Sequence, residues 1–129
     1  MGKPILVIDD DWEIRAILQE LLEDEGYEVD TASDGLLGWA KLDHQPGRYG
    51  VILLDLTLPG MDGLQIIQTL RQQEEVSLHP IIVLSADDRA LQRAVEMGIR
   101  HALEKPFDLT TLLFLVSTFF YSRKLYKDW

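Results

Sequence analysis

Three aspartates stand in a row, Asp9-Asp10-Asp11, directly after the apolar run Ile5–Ile8, and Asp55 directly follows Val51–Leu54. Ser85 closes the run Ile81–Leu84, and Lys105-Pro106 comes shortly after Ala102-Leu103. If those runs lie side by side, at least three carboxylates meet at one place. Like charges held that close repel unless protons or a cation relieve them. The donors are oxygens only, since the chain has no cysteine and His44, His79 and His101 share no metal-ligand spacing. Such a set selects a hard divalent ion, Mg²⁺ foremost. Carboxylates, a metal, a hydroxyl and an ammonium together suit phosphoryl chemistry: an acidic nucleophile, a cation bridging oxygens, and donors for the transferred group.

The elements that must position these residues are legible as an alternation. Short apolar runs at Ile5–Ile8, Tyr27–Thr31, Val51–Leu54, Ile81–Leu84 and, marginally, Ala102-Leu103 read as strands. Between them lie helical patterns: Ile14, Ile17, Leu18, Leu21 and Leu22 with Gly26 as a stop, then Leu36–Leu42, Leu64–Leu70, Leu91–Val95 before Gly98, and Leu109–Tyr121. Strands that are apolar almost throughout are buried on both faces, which predicts a parallel sheet between two helical layers. A doubly wound sheet of five strands most often has the order 2-1-3-4-5, and its crevice opens at the carboxyl ends of strands 1 and 3. Asp9, Asp10 and Asp55 fall at those ends. His44–Gly50, with Pro46 and Gly47, reads as a loop within one domain.

Each residue also has an ordinary reading. Asp10 suits the N-cap of the first helix with Glu13 completing a capping box, and a cap does not exclude ligation. Asp11 reads as a cap or a solvated residue, and Asp108 as the N-cap of the last helix. Asp62-Gly63, after Pro59-Gly60, reads as turn chemistry. Ser85 alone is a structural hydroxyl, and Lys105 alone a surface lysine. What favours function is that all of them fall at the carboxyl ends of strands in one sheet.

Composition bounds the rest. A chain of 129 residues with 47% hydrophobic residues is long enough and apolar enough for one domain with a real core. The 22 acidic residues against 12 basic ones give a net charge of −10, which argues against direct nucleic-acid binding. The apolar run near the C-terminus is broken by Thr and Ser and too short to span a bilayer. Met1-Gly2-Lys3-Pro4 opens no secretory pattern, so a cytoplasmic protein is expected.

The blocks Ile5–Asp11, Val51–Gly63, Ile81–Ala86 and Glu104–Asp108 closely resemble, in order and spacing, the receiver domain of bacterial two-component response regulators. The resemblance runs over residues 3–122, with 123–129 as a helix end or the start of a linker. It implies a flavodoxin-like (βα)5 three-layer sandwich and a phosphorylation-controlled switch in a phosphorelay, not a turnover enzyme. In family terms Asp55 accepts a phosphoryl group from the histidine of a sensor kinase or phosphotransfer protein, with at most self-phosphorylation and self-dephosphorylation besides. Asp9, Asp10, Asp55 and the backbone carbonyl of Thr57 would hold Mg²⁺, for which Mn²⁺ can substitute. Ser85 would turn towards the phosphoryl oxygens and Lys105 pair with them. Lys105-Pro106 is expected in cis, and Thr57 and Asp87 flank the site where attacking water enters.

Two positions depart from the family pattern. Ala102 stands where an aromatic side chain is usual, three residues before the lysine, so that readout is missing; His101 beside it would face the other way. Ser85 replaces the commoner Thr and keeps the hydroxyl. In the last helix Leu109, Leu112, Leu113, Val116 and Phe120 form a core stripe, leaving Phe114, Leu115, Phe119 and Tyr121 as surplus. The surplus either wraps the helix edges or marks a homodimer or partner surface along helices 4 and 5. Trp12 is expected at the rim of the acidic pocket and Trp39 against the sheet. Two rival functions differ in class. An aspartyl-nucleophile phosphatase of the haloacid-dehalogenase kind would want a second aspartate at position 57, where Thr57 stands. A pure interaction module would leave the acidic pocket vestigial.

Overall fold

Five short segments, the first, third and fourth of them rich in Ile, Leu and Val, are extended in the computed structural model, which describes residues 2–73, 78 and 80–128, the last eight of these by their backbone. They are β1 (Ile5–Ile8), β2 (Val29–Ala32), β3 (Val51–Asp55), β4 (Ile81–Ser85) and β5 (His101–Glu104). The helices between and after them are α1 (Trp12–Asp24), α2 (Gly35–His44), α3 (Gly63–Arg71), α4 (Asp88–Glu96) and α5 (Leu109–Asp128). The strands form one parallel sheet in the order β2-β1-β3-β4-β5, as the alternation predicts.

Alternate strand residues feed two cores, because successive side chains point to opposite faces of a sheet. Leu6, Ile8, Ile52, Leu54, Ile81 and Val83 pack with Leu42 of α2, Ile66, Ile67 and Leu70 of α3 and Ala94 of α4. Ile5, Val7, Val51, Leu53, Ile82 and Leu84 pack with Leu18 and Leu22 of α1 and Leu112 and Val116 of α5. The result is three layers, with α2, α3 and α4 on one face and α1 and α5 on the other.

Several local expectations are corrected. Asp11, not Asp10, is the N-cap of α1, its carboxylate accepting the N–H groups of Glu13 and Ile14. That leaves the Asp10 side chain outside the helix cap. Asp62 is more than a turn residue: it caps α3 in a reciprocal capping box with Gln65. β2 begins at Val29 instead of Tyr27, because Gly26 at φ +93° ends the α1 turn and Tyr27 packs its ring on Phe120. The α5 stripe holds at Leu112, Leu113, Val116 and Phe120, which pack on the core, but not at Leu109. Leu112 and Val116 are fully buried, whereas Leu109 is 39% exposed. Leu115 and Phe119 wrap onto the same core from the side, which leaves Phe114 as the exposed surplus at 72%. The Tyr121 side chain, the side chains of Arg123–Lys127 and His79 lie outside the described residues. Trp39 packs on the α2–α4 core, and Trp12 stands exposed in the first turn of α1.

Candidate functional site

Parallel register brings the site together. Ile8 pairs with Leu54, so Asp9 leaves β1 beside Asp55 at the end of β3; Asp55 pairs with Leu84, so Ser85 comes next, and Ser85 pairs with Glu104, the residue before Lys105. Among the described residues, tyrosine aside, the buried polar side chains are Asp9, Asp55 and Ser85, exposed by 0%, 4% and 1%. Carboxylate oxygens of Asp9, Asp10 and Asp55 lie within 4.8 Å of one another, with Asp10 on the solvent side.

Burying ions is costly unless each is paired and hydrogen-bonded, and here each is. Lys105 Nζ donates to Asp9 Oδ2 at 2.9 Å and to Asp55 Oδ2 at 3.3 Å. The second oxygens accept backbone donors: Asp11 N–H to Asp9 Oδ1 at 2.9 Å, and Thr57 N–H to Asp55 Oδ1 at 3.0 Å. Lys105 is fixed through its own N–H, which donates to the Ser85 carbonyl at 2.9 Å, and the Lys105–Pro106 bond is cis, as the resemblance implies. Ser85 Oγ accepts the Asp87 N–H at 3.0 Å, which leaves the hydroxyl proton for another acceptor.

Three carboxylates face one ammonium. Burial pushes the Asp55 carboxyl up to about 6 from its ordinary 3.8; the neighbouring Asp9 adds to this, and the Thr57 N–H and Lys105 oppose it. Burial alone would lower the Lys105 ammonium, but its hydrogen bond to Asp9 and the charges of both aspartates win, and its pKa lies above the ordinary value. The pocket thus keeps an excess of negative charge with only oxygen donors around it, a set that fits a hard divalent cation.

Sequence reasoning missed Arg15. Its guanidinium reaches back from α1 and donates to the Asp9 carbonyl at 2.8 Å, clamping the start of the acidic loop. No motif marks this, because the contact depends on how α1 leaves β1. On β5, Ala102 is exposed and pairs with Val83, on the α4 side of the sheet; His101 turns to the α5 side, where its ring meets Phe119 edge-on at 4.9 Å.

The family model of the response regulator receiver domain matches residues 5–117. The chain belongs to this family. It is 38% identical over 109 residues to the alkaline phosphatase synthesis transcriptional regulatory protein PhoP of Bacillus subtilis, covering 83% of this chain and 44% of PhoP. To the transcriptional regulatory protein PcoR of Escherichia coli it is 36% identical over 116 residues, covering 88% of this chain and 50% of PcoR. The receiver domain therefore spans about half the length of these curated relatives. Among solved structures, a signal receiver domain from Bermanella marisrubri superposes with a TM-score of 0.79 at 36% identity, over 92% of this chain and 98% of the other. The chemotaxis protein CheY4 of Vibrio cholerae gives 0.78 at 32% identity, over 91% and 98%. This receiver domain is a phosphorylation-controlled module of two-component signalling and not a classical enzyme. No helix among its described residues is long and apolar enough to cross a membrane.

Proposed function

We propose that Asp55 is the phosphoacceptor of this receiver domain, within a unit spanning residues 3–122. The observation that carries the reading is the joint burial of Asp9, Asp55 and Ser85 around Lys105 at the end of the sheet. A carboxylate oxygen of Asp55 attacks phosphorus, the phosphorus–nitrogen bond to a donor histidine breaks, and the imidazole leaves with its electron pair. Asp9, Asp10, Asp55 and the Thr57 carbonyl would hold Mg²⁺, whose positive charge offsets that of the carboxylates and the incoming oxygens. Lys105 shares its ammonium between Asp9 and Asp55 and is placed to follow the new negative charge on Asp55. Ser85 can donate its proton to the same oxygens.

The phosphoryl group adds charge and acceptor oxygens that Ser85 and Lys105 can satisfy in one arrangement of the β4–α4 loop only. Moving a two-state loop from 1:99 to 99:1 takes roughly 5.5 kcal/mol of differential interaction. A few charge-assisted bonds in a half-dry site can supply much of that. The partner is a sensor histidine kinase or phosphotransfer protein, the compartment the cytoplasm, and direct contact with nucleic acid is not part of the role. Self-phosphorylation from small acyl phosphates, and self-dephosphorylation, belong to the same reading. The exposed Phe114 on α5 supports a homodimer through the α4–α5 face as part of this reading. Sedimentation should show dimers with a phosphoryl mimic, and monomers under both conditions would remove that part.

The central test is intact mass after incubation with a small acyl-phosphate donor, with and without Mg²⁺, beside Asp55→Asn. One added phosphoryl group that needs Mg²⁺ and vanishes in the variant is the expected result. No adduct, with Trp12 fluorescence unmoved by Mg²⁺, would leave an interaction module as the better reading.

A further inference from the structure

Resting on that reading of the acidic site, we propose that Gly35, the first residue of α2, is a positioning residue for it. Its bare backbone seats the Met61 carbonyl and so sets the loop 56–62 that orients Asp55.

Gly35 is buried, and a methyl group built on it would overlap the Met61 carbonyl oxygen. Backbone against backbone leaves no side chain that could swing aside. Any residue but glycine here must push either the start of α2 or the loop. The next residue continues the seam: a Cβ on Gly60 would sit 3.7 Å from Leu36 Cδ1, in ordinary contact.

The loop has little slack. At its far end the Gly63 N–H donates to the Leu56 carbonyl at 3.1 Å, and a Cβ on Gly63 would come within 2.7 Å of Leu56 Cα. Leu56 and Leu58 are anchored in the core. Between these anchors lies Thr57, whose N–H holds Asp55 Oδ1 at 3.0 Å and whose carbonyl is the proposed fourth metal ligand. On this proposal a shift forced at Met61 moves the short segment 58–60 and, through it, Thr57. Outer-shell partners that orient metal ligands typically change affinity by about 10- to 100-fold when altered.

The test uses the whole chain and two variants of α2. Gly35→Ala should weaken Mg²⁺ binding, followed by Trp12 fluorescence and calorimetry, by at least about tenfold. It should also speed hydrogen exchange at the Thr57 and Gly63 amides. Leu42→Ala removes a buried core side chain of the same helix away from the seam. It should lower the urea midpoint as much or more, with Mg²⁺ affinity held within about twofold, since core truncation acts on global stability. Wild-type Mg²⁺ affinity and amide exchange in a folded Gly35→Ala would overturn the proposal, as would equal affinity losses in both variants. Should Gly35→Ala fail to fold, the exposed Leu36→Ala replaces it, and unchanged Thr57 and Gly63 exchange there overturns the proposal. If the wild-type chain binds no Mg²⁺ and takes no phosphoryl group, the parent reading fails. The amide exchange, which needs no ligand, then still decides whether Gly35 sets the loop.

Discussion

Burial raises the Asp55 carboxyl to about 6, and that has a measurable consequence in the absence of metal. Between pH 3.8 and about 6 the folded chain keeps a proton on Asp55 that the unfolded chain has released. The stability this proton confers is complete below the unfolded value and lost as pH rises through the folded one. Above that window the buried, ionised carboxyl opposes folding. Asp55→Asn should therefore be more stable than wild type in chelator above pH 6, with the advantage shrinking towards pH 4; urea titrations across that range check it. The opposite sign is expected at Lys105. Lys105→Met leaves Asp9 and Asp55 buried without their ammonium, and breaking such a pair costs about 3 kcal/mol or more. Thermal unfolding in chelator should show the loss, and Mg²⁺ should restore more stability to this variant than to wild type.

At the scale of elements, the capping residues tie the site to its helices. Asp87 links two structures: its N–H holds Ser85 Oγ, and its carboxylate caps α4 by accepting from Arg89 and Ala90. A hydroxyl that turns towards a phosphoryl group gives up the first bond at the mouth of α4. On the proposed reading of Ser85, this would be a route outward that needs no aromatic residue at Ala102. Asp87→Ala should cost about 1 kcal/mol and raise hydrogen exchange in the first turn of α4. Asp62→Ala should cost a similar amount, about 1 kcal/mol, through the capping box of α3, detected as a lower urea midpoint with an unchanged slope. Such caps are only half legible in a sequence. Asp10 and Asp11 are chemically identical neighbours, and which of them caps α1 is decided by where the chain turns out of β1, a choice of backbone geometry. Asp62 is misread for a similar reason, since Pro59-Gly60 signals a turn but not where the helix after it starts.

The whole molecule rests on two cores that share one sheet, so truncations in either should act globally. Leu112→Ala, on the α1–α5 side, should cost about 2–5 kcal/mol, whereas Phe114→Ser two residues on should change stability by less than about 0.5 kcal/mol. Chemical denaturation of the two variants separates them. That contrast shows where periodicity runs out, because Leu115 and Phe119 reach the core from the side of the stripe while Phe114 stays in solvent. What the amino-acid order determined by itself is the alternation of apolar runs and helical patterns, hence the parallel three-layer sheet. It also placed Asp9, Asp10, Asp55, Ser85 and Lys105 at strand ends, because strand period and turn chemistry are local properties written in neighbouring residues. Tertiary structure alone decided which carboxylate is buried, that Lys105 bridges two of them, that Arg15 clamps Asp9, and that the Met61 carbonyl needs Gly35 beneath it. Those outcomes depend on desolvation and close approach between segments far apart in the chain, and no local pattern encodes either.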